Sequence, residues 1–305
     1  MASARQASPE RKENVRHGEM AFPIEKYRTH LTAGGSAVTP HWHEEAELTL
    51  ITRGSCTCGI QLEHNVLEAG DLVFVPPQQL HSFVVEAPRG AGAGEMTSQT
   101  YVFHMNLLGG GSGDVCTLRY LAPLSSQKIV PPMVIRRGDP IHREAAELFG
   151  QLNRVWEEKQ PGYELLVKAY LLMFLALLIP HSVTDSAALA LRSEHAEKIK
   201  TALEFMEHHH AEEISIADIA AACYFSQYHF MRFFKKHMGV SCGEYLKNLR
   251  LEKAAAEFAA GSREILDVAM NVGFRNLSYF YREFQKKYGM TPKQFICKCA
   301  ELPVK

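Results

Sequence analysis

At 305 residues the chain exceeds what one compact core usually fills, so two domains are expected. Hydrophobic residues make up 46% and charged residues 22%, the balance of an ordinary globular protein rather than of a disordered or fibrous one. The net charge of -1 hides an uneven split: residues 1–190 carry 16 basic and 20 acidic side chains, whereas residues 226–298 carry 13 and 6. Seven cysteines, odd in number and without a C-x-x-C pair, suggest neither a zinc framework nor a complete disulfide set, and a reducing, cytoplasmic setting follows.

In chain order, residues 1–20 are polar and mixed in charge, and read as a mobile tail without a secretory signal. Residues 21–138 contain short β-branched or aromatic runs, "ELTLITRG", "CTCGIQLE", "DLVFVPP" and "YVFHMNL", separated by turn residues; close spacing without helical patterns predicts an antiparallel barrel or sandwich. Two Gly-rich stretches, "EAPRGAGAGEMTS" and "LLGGGSGD", read as loops. From Asp139 the period becomes helical, with Ile141, Ala145, Leu148, Leu152 and Val155 at three- or four-residue spacing, and a second helix follows from Tyr163 to Ile179. Its apolar run Ala169 to Pro180 is shorter than the ~18 residues a membrane span needs, so a buried or interfacial helix is expected and no membrane. Residues 139–180 read as a dimerisation segment, 181–193 as a linker and 194–299 as an all-helical domain.

That last domain contains a repeat. "FMRFFKKHMG" (Phe230 to Gly239) recurs as "FYREFQKKYG" (Phe280 to Gly289), and "ISIADIAAACYF" upstream lines up with "REILDVAMNVGF". Two copies are too few for a solenoid and fit two helix-turn-helix units. Ser215 with Asp218, Ser241 with Glu244, and Thr291-Pro292 with Gln294 have helix-capping spacing. In the first unit's second helix, Phe230, Phe233, Phe234 and His237 share one face and Tyr228, Met231, Arg232 and Lys235 the other. The second unit divides likewise, with Phe280, Phe284 and Tyr288 inside and Ser278, Tyr281, Arg282 and Gln285 outside. An arginine therefore faces outward at the matching place in both copies, where it could pair with guanine or phosphate.

The segment from Ser193 to Cys299 resembles the DNA-binding domain of AraC/XylS-type transcription regulators, through "IADIAAACYFSQYHFMRFFKKHMGVSCGEYLKNLRLEKA" and "ILDVAMNVGFRNLSYFYREFQKKYGMTPKQF". The resemblance implies seven helices, with a linking helix from about Cys242 to Ala260 that sets both recognition helices in successive major grooves of double-stranded DNA. Sites about 10 base pairs apart follow. Carried over position by position, the base-contacting residues are Tyr228, Met231 and Arg232 in the first helix and Leu277, Ser278, Tyr281 and Arg282 in the second. Lys235, Lys236, Lys286 and Lys287 are phosphate-contact candidates.

In the N-terminal half, His41, His43 and Glu47 have the same parity and would point to one side of a strand, and "GDLVFVPPQQLHSF" supplies His81. The pattern G-x5-H-x-H-x3-E-x6-G followed by G-x5-P-x4-H resembles the two cupin motifs, whose histidines and glutamate hold a divalent metal in cupin enzymes. Sensor domains of the AraC type are cupin-like and often use the barrel interior for a small organic effector, so the same four residues are candidates for effector binding as well as for a metal. Trp42, facing away from them, is expected in a core. Cys56 and Cys58 share a strand face as small core residues, and "EHHH" (Glu207 to His210) ends a helix where imidazoles suit the dipole.

The fold expected is α+β: an N-terminal antiparallel cupin-like β-barrel followed by helices, then a C-terminal all-α domain with two helix-turn-helix units. The function expected is sequence-specific DNA binding under control of a small-molecule effector, with no catalytic residues and no obligatory cofactor. By resemblance the partners include RNA polymerase and a second copy of the chain, activation is the commoner outcome, and carbohydrates are the first effector class to screen. A metal-dependent cupin enzyme is the alternative.

Overall fold

The computed structural model describes residues 3–4, 12–13, 17–33, 37–60, 62–86, 94–109, 113–184 and 186–301, with side chains undescribed at 3–4, 186–193 and 300–301. It divides into two units, one holding the described residues up to Glu194 and the other those from His195 onward.

Among the described residues the first unit has nine strands: β1 (Ser3–Ala4), β2 (Ile24–Thr32), β3 (Val38–His41), β4 (Ala46–Ile60), β5 (Glu63–Glu68), β6 (Leu72–Val75), β7 (His81–Val84), β8 (Glu95–Phe103) and β9 (Val134–Ile135). One path of neighbours runs β1-β2-β8-β4-β6-β9, while β5 and β7 pair with the far half of β4 and β3 pairs with β7. All of these pairings except β1 with β2 are antiparallel. The 15-residue strand β4 therefore belongs to both layers. Sequence patterning breaks this stretch into two strands at Gly54, but the backbone passes through, with an irregularity against β8 between Ile51 and Arg53. Gly54 lies at φ +73, and a Cβ there would sit 1.9 Å from the Glu95 carbonyl oxygen, so glycine permits continuity rather than ending it.

Other differences have similar causes. Glu95 to Ser98, at the end of a stretch read as loop, are the first residues of β8, because pairing with β2 and β4 overrides weak local propensity. Residues 87–93 and 110–112 of the two Gly-rich stretches lie outside the described residues. A π-helical turn (Thr117–Leu121) running into α1 (Ala122–Ser125) follows the last of the runs read as strands. The polar N-terminal segment is not wholly a tail: Glu13 and His17 are buried, and Glu13 donates its backbone N–H to the Trp42 carbonyl at 2.9 Å.

Two helices follow, α2 (His142–Glu158) and α3 (Tyr163–Leu178). Ala145, Leu148, Phe149 and Leu152 of α2 and Val167, Leu171, Phe174, Leu175 and Leu178 of α3 share a core with Leu48, Phe74, Tyr101 and Phe103 of the strands. Lys26, fully buried, ties β2 to α2 through Asn153 and Glu157 and lies 5.7 Å from the Tyr101 ring. With its short extension, α3 spans Tyr163–His181 and is long and apolar enough to cross a membrane, longer than the run legible in the sequence. One face is core; Leu165, Leu166 and Met173 lie exposed on the other.

Among the described residues the second unit has seven helices: α4 (Ser186–His209), α5 (Ile216–Ala222), α6 (Gln227–Met238), α7 (Cys242–Ala259), α8 (Ile265–Asn271), α9 (Leu277–Tyr288) and α10 (Pro292–Glu301). Helix α4 begins within the stretch read as linker, since "SAALALRS" has high helix propensity and lacks a breaker. Ser215 and Asp218 form a reciprocal capping box, Ser241 caps α7, and Thr291 with Gln294 caps α10. Phe258, Phe274, Phe280, Phe284 and Ile296 pack the second half, with the rings of Phe284 and Phe258 5.8 Å apart.

The two turns differ at one place. In the second helix-turn-helix Gly273 takes φ +93, and a Cβ there would meet the His210 carbonyl oxygen at 2.4 Å. At the matching place in the first helix-turn-helix Tyr224 takes φ 59 and is 94% exposed. A side chain in this conformation costs about 1 kcal/mol, so Tyr224→Gly is expected to raise the stability of the second unit by about that amount in urea unfolding.

Candidate nucleic-acid interface and barrel cluster

Helices α6 and α9 are built alike. Each has 12 residues, each N-cap side chain accepts a backbone N–H (Ser226 from His229, Asn276 from Tyr279), and each ends at a left-handed glycine, Gly239 or Gly289. Phe230 and Phe234 are buried in α6, as are Phe280 and Phe284 in α9. Helix α7 lies between the two units in sequence and packs against both recognition helices. Phe234 of α6 meets Tyr245 with rings 5.7 Å apart, and Lys247 pairs with Glu283 of α9 at 2.9 Å.

Tyr228, Met231, Arg232 and Lys235 of α6 are all exposed, and a surface depression is lined by Arg232, Phe233, Lys235 and Lys236. On α9, Leu277, Ser278 and Arg282 are exposed, while Tyr281 is half-buried against the core; its outward assignment needs that correction. Its ring centroid lies 6.2 Å from that of Phe280. Both arginines are braced by aromatic rings: Arg232 lies 5.8 Å from the Tyr228 ring centroid and 3.4 Å from its hydroxyl, and Arg282 lies 5.0 Å from Tyr279. Tyr279 is not among the residues singled out by sequence, although its i, i+3 spacing to Arg282 is the available signal.

The lysines separate into two classes. Lys235, Lys236 and Lys286 are exposed, whereas Lys287 pairs with Glu252 at 2.8 Å and donates to the Asn248 carbonyl. Lys287 thus anchors α9 to α7. The Lys247 ammonium, hydrogen-bonded to Glu283, holds that carboxyl below its ordinary value.

In the first unit the four motif residues converge, but not along one strand. His41 ends β3, the chain bends at Glu44 and Glu45, and Glu47 lies on β4, while His81 opens β7. The His41–His81 pairing in the β3–β7 ladder closes the gap. One nitrogen from each of His41, His43 and His81 lies within 4.8 Å of the others, and all three residues are buried. The Glu47 Oε2 is 3.6 Å from His43 Nε2 and 3.5 Å from His81 Nε2. Every ring points its Nδ1 at a backbone carbonyl two residues away: His41 at Thr39 (2.9 Å), His43 at Glu45 (3.1 Å) and His81 at Gln79 (2.9 Å). Donation from Nδ1–H leaves each Nε2 as a lone-pair donor aimed inward. Three such nitrogens and a carboxylate suit a divalent transition metal, or the hydroxyl groups of an organic ligand.

The sequence motif did not disclose a second carboxylate, Glu13, whose Oε2 lies 3.6 Å from His41 Nε2. Trp42 is buried as expected, and Cys56 and Cys58 are buried, where loss of hydration pushes the Cys56 thiol up to about 12 and Cys58 well above its ordinary value. Neither thiol is set up to react. At the end of α4, His208 and His210 turn their Nδ1 atoms to the carbonyls of Glu204 and Glu207.

The family model described as an AraC-like ligand binding domain matches residues 26–175, and that of a helix-turn-helix domain matches residues 219–296. The HTH-type transcriptional regulator YdeC of Bacillus subtilis (strain 168) is 23% identical over 289 residues, 93% of this chain and 95% of its own. An HTH-type transcriptional regulator of Haemophilus influenzae is 25% identical over 257 residues, 81% and 84% of the two chains. The TetD protein of transposon Tn10 from Escherichia coli is 31% identical over 104 residues, 34% of this chain and 75% of that one.

Proposed function

The chain belongs to the AraC family of helix-turn-helix transcription regulators with an N-terminal effector-binding domain, and we propose that it reads DNA through α6 and α9 together. The observation that carries this is the repetition of one surface: two capped 12-residue helices, each with an exposed, ring-braced arginine, joined by α7. Arg232 and Arg282 supply paired donors to guanine or phosphate, Tyr228 and Ser278 flank them, and Met231 and Leu277 offer apolar contact to a thymine methyl. Tyr281 contributes from its exposed edge. Lys235, Lys236 and Lys286 meet phosphates.

Binding to a duplex selected from a random pool tests this assignment. Lys235→Ala is expected to weaken all sequences alike and to reduce the slope of log affinity against log salt by about 1. Lys287→Ala is expected to leave the slope unchanged while lowering the unfolding stability of the second unit, because its ammonium is spent on Glu252 and Asn248. Equal slopes for wild type and Lys235→Ala would remove Lys235 from the interface.

In the first unit the effector site consists of His41, His43, Glu47 and His81. An effector shifts the regulator only if its affinity differs between two arrangements of the protein. Carbohydrates are the class to screen first, by thermal shift of the full chain. The regulator acts in the cytoplasm as a homodimer that works with RNA polymerase, most often to activate. The exposed Leu165, Leu166 and Met173 face of α3 is the dimer surface: Leu165→Glu is expected to convert a dimer to a monomer in sedimentation, and an unchanged mass would exclude that face. The curated relatives are transcription regulators, and nothing about the cluster requires turnover.

A further inference from the structure

We propose that Arg275, in the turn ahead of α9, is a further DNA-contacting residue, one that takes a backbone phosphate beside the groove α9 enters and so seats the helix without reading a base. The inference rests on α9 as a reading helix and adds to it a contact outside the helix.

The two helix-turn-helix copies run alike as far as the phenylalanine of the turn. Phe225 donates its backbone N–H to the Ala220 carbonyl and Phe274 to that of Ala269, each at 2.9 Å. In the first copy the next residue, Ser226, is already the N-cap of α6. In the second, Arg275 stands between Phe274 and the N-cap Asn276, so beyond its left-handed glycine this turn is one residue longer. The added residue is a cation. It is exposed, and among the described residues it makes no hydrogen bond or ion pair.

A second guanidinium lies against the same turn. Half-buried Arg250 of α7 donates from Nε to the His210 carbonyl at 2.7 Å and from Nη2 to the Glu212 carbonyl at 2.8 Å. A Cβ at Gly273 would stand 2.8 Å from that Nε. Both acceptors are neutral carbonyls, so the charge of Arg250 is fixed in place but not neutralised. Burial first, and then the charge of Arg275, lowers Arg250 from its ordinary value, yet both guanidiniums keep their protons at neutral pH. Two cations side by side favour an anion within reach. The amino end of α9 adds positive partial charge.

Location selects the anion. Residues just inside the start of a recognition helix meet base edges, and Leu277 and Ser278 are exposed there. A residue one place before the N-cap lies outside the groove floor, over the sugar-phosphate strand that borders it. The first turn offers no cation at this point, since Ser226 follows Phe225 directly, so the anchor belongs to the α9 half alone.

The test measures binding of the full chain to a selected duplex over a range of salt. Arg275→Ala is expected to lower the slope of log affinity against log salt by about 1, so that its deficit against wild type shrinks about threefold between about 50 and about 200 mM salt. Arg275→Lys is expected to keep the wild-type slope, and base preference is expected to be the same in all three proteins. Ethylation of duplex phosphates should reveal one phosphate at the α9 end of the site that interferes with wild type and not with Arg275→Ala. The urea midpoint of Arg275→Ala should be no lower than that of wild type, because the side chain ties nothing together. An unchanged slope for folded Arg275→Ala overturns the inference, as does a changed preference at one base with the slope retained. If Arg275→Ala binds like wild type while Arg282→Ala is weakened, α9 still reads DNA and only the phosphate contact is wrong. If Arg282→Ala also binds like wild type, the reading surface itself fails and the inference falls with it.

Discussion

Replacing Arg232 and Arg282 together with alanine is expected to weaken binding to a selected duplex by at least about a hundredfold, with each single change costing about 1–3 kcal/mol. Both guanidiniums are exposed and braced by a ring, so little side-chain freedom remains to be lost on binding. The two sites are on different helices, and their costs should add within a few tenths of a kcal/mol. Relaxed base preference should appear at separate positions, one for each arginine. Unchanged affinity in the double variant would mean that the repeated face of α6 and α9 is not the reading surface.

The second large effect is expected in the core that holds α9. Phe284 is fully buried, with ring centroids of Phe258, Phe280, Tyr288 and Phe295 between 4.6 and 5.8 Å away. Phe284→Ala removes a side chain that these rings cannot refill and is expected to cost about 3–5 kcal/mol in unfolding. Since typical domains are stable by only about 5–15 kcal/mol, much of the second unit's stability would be lost, and duplex affinity with it. The conservative Phe284→Leu should keep most of both. Loss of affinity with full stability retained would instead place Phe284 in direct contact with DNA.

Why the C-terminal half was legible is physical. A helix-turn-helix unit is local: its caps, its apolar stripe and its outward stripe lie within some twenty residues, so one sequence pass reads them, and a second copy checks the first. Ser215, Ser241 and Thr291 cap where their spacing places them. What escaped in this half depends on neighbours from other helices. Lys287 looks like a phosphate contact until Glu252 of α7 is beside it, and Tyr281 looks exposed until its ring meets the Phe280 side of the core.

In the barrel the motif named the four cluster residues but misjudged how they meet. Parity along one strand is a valid argument only while the strand continues, and the bend at Glu44 and Glu45 ends it. Convergence comes instead from the ladder between β3 and β7. Glu13 had no local signal, since a lone glutamate in a polar stretch becomes a cluster member only through tertiary placement. The reverse error occurred at Gly54, where a residue that usually stops a strand lets β4 continue past the Glu95 carbonyl.

The claim on which the account turns is that α6 and α9 occupy two major grooves on one side of the duplex. Methylation interference of the full chain on a selected duplex addresses it directly. Two patches of interfering guanines about 10 base pairs apart are predicted, one disappearing with Arg232→Ala and the other with Arg282→Ala. A single patch, or two that persist in both variants, would contradict it.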